Sequence, residues 1–329
     1  MSGPRGEELY CDTAWIGPST PRAVLISISG THGLEAAAGS QGQAEWLRSS
    51  GPAAIDERCA VLLVHAINPW GFAHQFRTTE GNVDLNRNFL APGAARLPNP
   101  IYGELHPILC PVELGEGLVE QATEALKEAE TRYGRDPVSE ALNRGQYSHA
   151  DGSMYGGHAP VWSNLTLAAI LQTIPASVER VACVDWHTAL GEYGKPFYLS
   201  FDRQFGASPS PTIEMWELDK DYTAESGFDD AAVPEYQGTV FDAVREWLEP
   251  RPVVGGVIEF GTVPYWESYK LCFYEFWLKF VAADDHPDRL RVHQELIKVC
   301  APDDPAWWAS VRRESRRIHQ QMIDWLMRT

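Results

Sequence analysis

Four short runs of apolar residues punctuate the chain: Ala23 to Ser29, Ala60 to Ile67, Val181 to Trp186 and Val253 to Phe260. They are rich in Val and Ile and continuous rather than alternating, the pattern of strands covered on both faces of a sheet. Between them, helical spacing of apolar positions recurs over Ala36 to Leu47, Leu118 to Tyr133, Leu165 to Ile174 and Val240 to Leu248. This alternation predicts an α/β fold with a single mixed, mostly parallel sheet covered by helices. Beyond Phe260 the pattern is helical only, over Tyr269 to Ala283, Asp288 to Cys300 and Ala306 to Met327, with breaks at Pro287, Pro302 and Pro305. These helices are expected outside the sheet. Leu90 to Pro111, rich in Pro, Ala and Gly, and Gly145 to Trp162, rich in Gly, His, Tyr and Ser, read as long loops. The expectation is one domain over residues 1–329, with an insertion at 90–163 between the second and third strands and a helical C-terminal segment at 263–329.

Open α/β sheets bind ligands at the carboxyl ends of their strands, and three of the four runs end there in groups that hold a metal or move a proton. The first breaks at Gly30-Thr31-His32-Gly33-Leu34-Glu35, the third ends Asp185-Trp186-His187, and the fourth ends Ile258-Glu259-Phe260-Gly261. His32 and Glu35, three apart on a turn opening into a helix, project from one face and can share an ion. His187, arriving from another strand, completes a His/Glu/His set. Such a set leaves zinc's fourth position to a water, whose pKa zinc draws toward ~7. Glu259 is then the proton shuttle, accepting from the water and delivering to a leaving nitrogen. Alone, H-x-x-E occurs by chance, and a glutamate inside an apolar run can be half of a buried salt bridge. Co-occurrence at equivalent strand ends carries the reading.

After the second run comes Arg77-Thr78-Thr79-Glu80-Gly81-Asn82-Val83-Asp84-Leu85-Asn86-Arg87-Asn88-Phe89. Guanidinium groups grip carboxylates through paired hydrogen bonds, so Arg87 with Asn86 can hold a substrate carboxylate while Arg77 faces the reacting carbonyl. An internal pair between Arg87 and Asp84 is the alternative.

Four motifs together resemble the zinc metallocarboxypeptidase superfamily, including its succinylglutamate desuccinylase and aspartoacylase branch. Gly30 to Glu35 is similar to that branch's G-x-H-G-x-E metal motif, Asp84-Leu85-Asn86-Arg87 to its D-x-N-R substrate motif, Asp185-Trp186-His187 to its D-x-H metal motif, and Ile258-Glu259 to its catalytic glutamate. The resemblance spans roughly Glu8 to Thr262. It implies a zinc carboxypeptidase-like fold, one zinc ion on His32, Glu35 and His187, and Glu259 as general base and then acid. It further implies that Arg77 polarises the carbonyl, that Asn86 and Arg87 bind a carboxylate, and that Asp84 orients His32 from behind. Tyr236, 23 residues before Glu259, stands where carboxypeptidases carry a mobile active-site tyrosine. More closely, Gly145-Gln146-Tyr147, Tyr155-Gly156-Gly157 and Trp162-Ser163-Asn164, with Glu259 to Thr262, resemble a mainly bacterial branch of these peptidases known only as a domain of unknown function. The short separation of Arg77 from Arg87 and the insertion after Phe89 depart from true carboxypeptidases.

Composition narrows the partners. Lys plus Arg number 27 against 45 Asp plus Glu, a net charge of -18 that argues against nucleic acid. No apolar run is long enough to cross a bilayer, and Met1 to Tyr10 carries no signal-peptide pattern, so a cytoplasmic protein without a membrane partner is expected. Six scattered cysteines read as reduced core thiols. A homo-oligomer is compatible with the sequence, with Trp307-Trp308 as its candidate interface.

Two rival chemistries are weaker. Ala38-Gly39-Ser40-Gln41-Gly42 approximates a serine nucleophile elbow, but Ser40 lies eleven residues past the strand end at Ser29 instead of on the turn. His149, Asp151 and His158 offer metal donors without a compact chelate spacing. The expectation is a zinc-dependent hydrolase cleaving an amide or peptide bond in a small molecule or short peptide with a free carboxylate. The alternatives are a metal-dependent esterase or deacylase and an inactive binding protein that keeps the fold.

Overall fold

Six strands appear in the computed structural model, which describes residues 1–49, 51–91, 93–201, 210–219, 222, 224, 228 and 231–328. In chain order they are β1 (Asp12–Ile16), β2 (Ala23–Ser29), β3 (Cys59–His65), β4 (Arg180–Tyr193), β5 (Pro196–Ser200) and β6 (Val253–Gly261). They form one sheet in the order β1-β3-β2-β4-β6-β5. The inner four are parallel, and the edge strands β1 and β5 are antiparallel to their neighbours. The four apolar runs are these inner strands.

Eleven helices cover the sheet among the described residues: α1 (Ala36–Arg48), α2 (Pro69–His74), α3 (Pro100–Leu109), α4 (Leu118–Tyr133), α5 (Arg135–Asn143), α6 (Trp162–Leu171), α7 (Pro211–Met215), α8 (Val240–Leu248), α9 (Lys270–Phe276), α10 (Arg289–Cys300) and α11 (Pro305–Met327). Side chains alternate along each strand, so each core takes every second residue. Val24, Ile26 and Ile28 pack with α6 and α8, while Ala23 and Leu25 pack with α1 and α11. Val181 and Cys183 share the α6/α8 face. The same period carries Asp185 and His187 to that side.

Several expectations change. β1 is an edge strand whose first three residues are exposed, so it lacks a buried apolar run. Leu90 to Pro111, read as a loop, contains α3. Its start is a capped turn in which Asn99 Oδ1 accepts the Tyr102 N–H and Pro100 occupies the first helical position, where a missing N–H costs nothing. Gly145 to Trp162 does hold no helix until Trp162 itself, and only an isolated bridge between Gln146 and Tyr155. The segment from Tyr269 to Ala283 is broken: α9 gives way to a π-helical turn at Trp277–Val281. Trp307 is 1% exposed and donates its indole N–H to Gly261 O, so it is core and not the expected interface residue. Ser40 sits in mid-helix in α1, which removes the nucleophile elbow. All six cysteines are unpaired. No helix among the described residues is long and apolar enough to cross a membrane.

Between α11 and the sheet lies a fully buried imidazole. His319 Nδ1–H donates to Ser315 O, Nε2 faces Ser27 Oγ, and that hydroxyl also accepts from the Trp186 indole. Burial lowers the His319 pKa from 6.5 to about 4. The unfolded chain therefore binds this proton first, and stability is lost as pH falls from 6.5 toward about 4. Urea unfolding against pH should show a loss of about 3 kcal/mol across this window, at 1.36 kcal/mol per pKa unit. His319→Gln should flatten that slope; an unchanged slope would contradict the assignment.

Candidate active site

The carboxyl ends of β2, β4 and β6 converge on one buried cluster. After β2, Gly30 takes φ 76° and the chain enters a single 3-10 turn, Gly33–Glu35, ahead of α1. Here α2 presses so close that a Cβ on Gly33 would lie 2.0 Å from the Gly71 carbonyl carbon, and only glycine fits. The turn aims His32 and Glu35 the same way. On β4 and β6, His187 and Glu259 are register partners, so their side chains leave the same face of adjacent strands.

The donor atoms are close together. His32 Nδ1 lies 3.0 Å from Glu35 Oε1, His187 Nδ1 lies 3.0 Å from Glu35 Oε2, and the two Nδ1 atoms are 3.1 Å apart. Each ring's far nitrogen meets a carboxylate: His32 Nε2 to Asp84 Oδ1 at 3.0 Å, and His187 Nε2 to Asp185 Oδ2 at 2.7 Å. Those carboxylates hold each ring by its Nε2–H and aim both Nδ1 atoms at Glu35. The three groups face one another, buried, with one ligand atom from each placed to share a cation. A tetrahedral ion with bonds of about 2.0–2.1 Å spaces its ligands about 3.3 Å apart, close to what the side chains already show. His32, Glu35 and His187 therefore fit one zinc ion.

The charges around the cluster are fixed by their neighbours. Burial works against an ionised Glu35, but His32 and His187 outweigh it and hold the carboxyl well below its usual range. Burial likewise opposes charge on Asp84, yet Arg77 and His32 keep it ionised. Arg77 donates through Nη1 to Asp84 Oδ2, and its Nε stands 3.8 Å from Glu35 Oε1. Its Nη2 makes no hydrogen bond among the described residues, and the side chain lines the cavity beside Glu35. Glu259 gives no atom to the cluster. Burial first and the Glu35 charge second push its pKa up to about 7, while the Leu190 N–H supports the ionised form at 2.9 Å from Oε2.

The same cavity reaches Arg87 and Tyr236. Arg87 is 4% exposed, and no carboxylate among the described residues pairs with it. Nε and Nη2 donate to Asn143 O, Nη1 donates to Asn86 O, and the guanidinium lies 4.8 Å from the centre of the Tyr236 ring. Asp84 is taken by Arg77 and His32, so the internal Arg87–Asp84 pair does not form. Asn86 also lines the cavity, but Oδ1 accepts the Val240 N–H, and Nδ2 stands 3.3 Å from His187 Nε2 and 3.5 Å from Asp185 Oδ2.

Every site residue expected from the sequence thus reaches this one cavity or, for Asp84, the wall behind it. Four residues here had been given no role of their own. Asp185 holds His187, and its place two residues earlier on the same strand face was the available signal. A buried pair, Glu275 and Lys279 at 3.1 Å, grips the chain after Arg77: Glu275 Oε1 accepts the Thr78 N–H and hydroxyl, and Lys279 donates to Thr78 Oγ1. His106 of α3 joins His149 and Asp151, whereas His158 packs its ring against Tyr155. No spacing rule links residues so far apart.

The sheet order and the cluster at its carboxyl edge define an α/β protein with a buried His/Glu/His group at the ends of its parallel strands. The chain belongs to the family described as "Protein of unknown function (DUF2817)", whose model matches residues 1–314. Among solved structures it is similar to a carboxypeptidase A from Helicoverpa armigera, with 12% identity, TM-score 0.40, and coverage of 92% of this chain and 68% of the other. It is also similar to a succinylglutamate desuccinylase from Chromobacterium violaceum, with 14% identity, TM-score 0.38, and coverage of 92% and 70%. A third is a murein-tripeptide amidase from Escherichia coli O157, with 13% identity, TM-score 0.37, and coverage of 86% and 91%. No curated protein sequence matches.

Proposed function

We propose that the protein is a zinc-dependent hydrolase that cleaves an amide or peptide bond in a small carboxylate-bearing substrate, an N-acyl amino acid or a short peptide. The observation that carries this reading is the convergence of two imidazole Nδ1 atoms and a carboxylate at 3.0–3.1 Å, with Glu259 in the same cavity and outside the cluster. His32, Glu35 and His187 would hold the zinc, which would supply Lewis acidity when bound. The remaining steps belong to side chains. Glu259 takes the proton of the attacking water and returns it to the leaving nitrogen, a task suited to a carboxyl whose pKa is raised to about 7. Arg77 offers its unbonded Nη2 to the carbonyl oxygen as charge develops there. Arg87, buried without a counter-ion among the described residues and stacked on Tyr236, receives the substrate carboxylate. Asn86 lies beside Arg87 at that end, its Nδ2 turned toward the Asp185 carboxylate that holds His187.

The test is metal content by mass spectrometry, followed by turnover of a mixed library of peptides and N-acyl amino acids. Expected are bound zinc, hydrolysis of members with a free carboxylate, loss of activity on chelation and recovery on adding zinc back. A zinc-loaded protein inert toward amides and esters would overturn the hydrolase reading. Equal turnover of substrates whose carboxylate is masked as an amide would remove the role given to Arg87.

A further inference from the structure

We propose a second, solvent-accessible site for a divalent transition metal, built from His106, His149 and Asp151, of which Asp151 reaches the cavity. His106 comes from α3, the other two from the loop after Gly145. One ligand atom from each can be chosen so that all lie within 4.8 Å of one another. His106 Nε2 and Asp151 Oδ1 are already 3.2 Å apart, near the spacing of neighbouring ligands on a single ion. The two imidazoles stack at 4.2 Å, and the His149 ring makes no hydrogen bond among the described residues. Two imidazoles and one carboxylate are a donor set for zinc, copper or nickel, whereas calcium and magnesium prefer oxygen alone.

The loop is held in place for this. Gln146, fully buried, accepts the Ser148 and His149 N–H groups and donates to His149 O and Ser153 O. From the other side the Asn82 amide donates to Ala150 O and Gly152 O. Gly152 lets the loop lie on α3, since a Cβ there would sit 2.4 Å from Tyr102 Oη and 3.0 Å from His106 Cδ2. Backbone positions are thus fixed, while the side chains of His149 and Asp151 are partly exposed and free to close the remaining gap. Water completes the coordination, so this ion exchanges more readily than one on the buried cluster. Asp151 also lines the cavity that contains His32, Glu35 and His187. An ion here adds positive charge to the cavity wall and ties α3 to the loop.

The probe is Zn2+ alone, titrated into the metal-free full chain against a chromophoric chelator. Wild type should take up two equivalents, the second more weakly. His149→Ala and Asp151→Asn should each take up one and melt at the wild-type temperature. His187→Ala, or Glu35→Gln if that variant fails to fold, should lose the tighter equivalent and keep the weaker. A single wild-type equivalent that vanishes in the His187→Ala or Glu35→Gln variant would overturn this site and leave the first intact. A second equivalent that survives in both His149→Ala and Asp151→Asn would also overturn it. One equivalent lost only with His149→Ala would support this site and overturn the first.

Discussion

Glu259→Gln is expected to lower kcat on the order of 10³-fold, within the ~10²–10⁴ range of positioned general acid–base groups, with metal content unchanged. Glutamine keeps the size of the side chain and an oxygen for the Leu190 N–H. It removes the only property the mechanism asks of the residue, reversible uptake of a proton. The prediction that zinc stays bound follows from geometry, because Glu259 contributes no donor to the cluster formed by His32, Glu35 and His187. Steady-state kinetics and mass spectrometry on the same sample check both halves. Wild-type turnover would end the proton-shuttle role, and joint loss of metal and activity would make Glu259 a ligand instead.

Arg87→Met should reduce kcat/KM for carboxylate substrates by about 10²-fold or more. Truncating one partner of a buried, hydrogen-bonded charge pair costs about 2–5 kcal/mol, and each 1.4 kcal/mol is tenfold. Arg87 also holds the carbonyls of Asn86 and Asn143, so part of any loss is structural. The ratio of turnover on a free acid to turnover on its amide separates the two. A purely structural role leaves that ratio at its wild-type value, whereas loss of a carboxylate receptor collapses it toward one. Arg87→Lys should recover little, because a single ammonium cannot bridge both carbonyls and still present a flat face to Tyr236.

Much of the centre of the molecule was legible in advance. β2, α4 and α8 have the boundaries read from the apolar pattern, because burial on both sides of a strand and on one side of a helix imposes a local period. His32, Glu35, His187 and Glu259 were legible for a related reason: polar groups at the ends of apolar strands are unusual enough to stand out. α3 was hidden because its prolines and glycine look like loop composition until the Asn99 cap is seen. β1 was hidden because an exposed edge strand needs no apolar run. Ser40 and Trp307 show the converse, short patterns whose meaning changed once their neighbours were known.

The sequence by itself determined the parallel core, the strand ends at which His32, Glu35, His187 and Glu259 gather and the residue types placed there, since these depend on periods only a few residues long. Tertiary structure alone decided which partner each charged group takes. Asp84 bridges Arg77 and His32 and leaves Arg87 without a counter-ion among the described residues, and His149 lies against His106 and not His158. Those choices join residues that only packing brings together, and the energy of a buried charge is set by what surrounds it in space, not by what adjoins it along the chain.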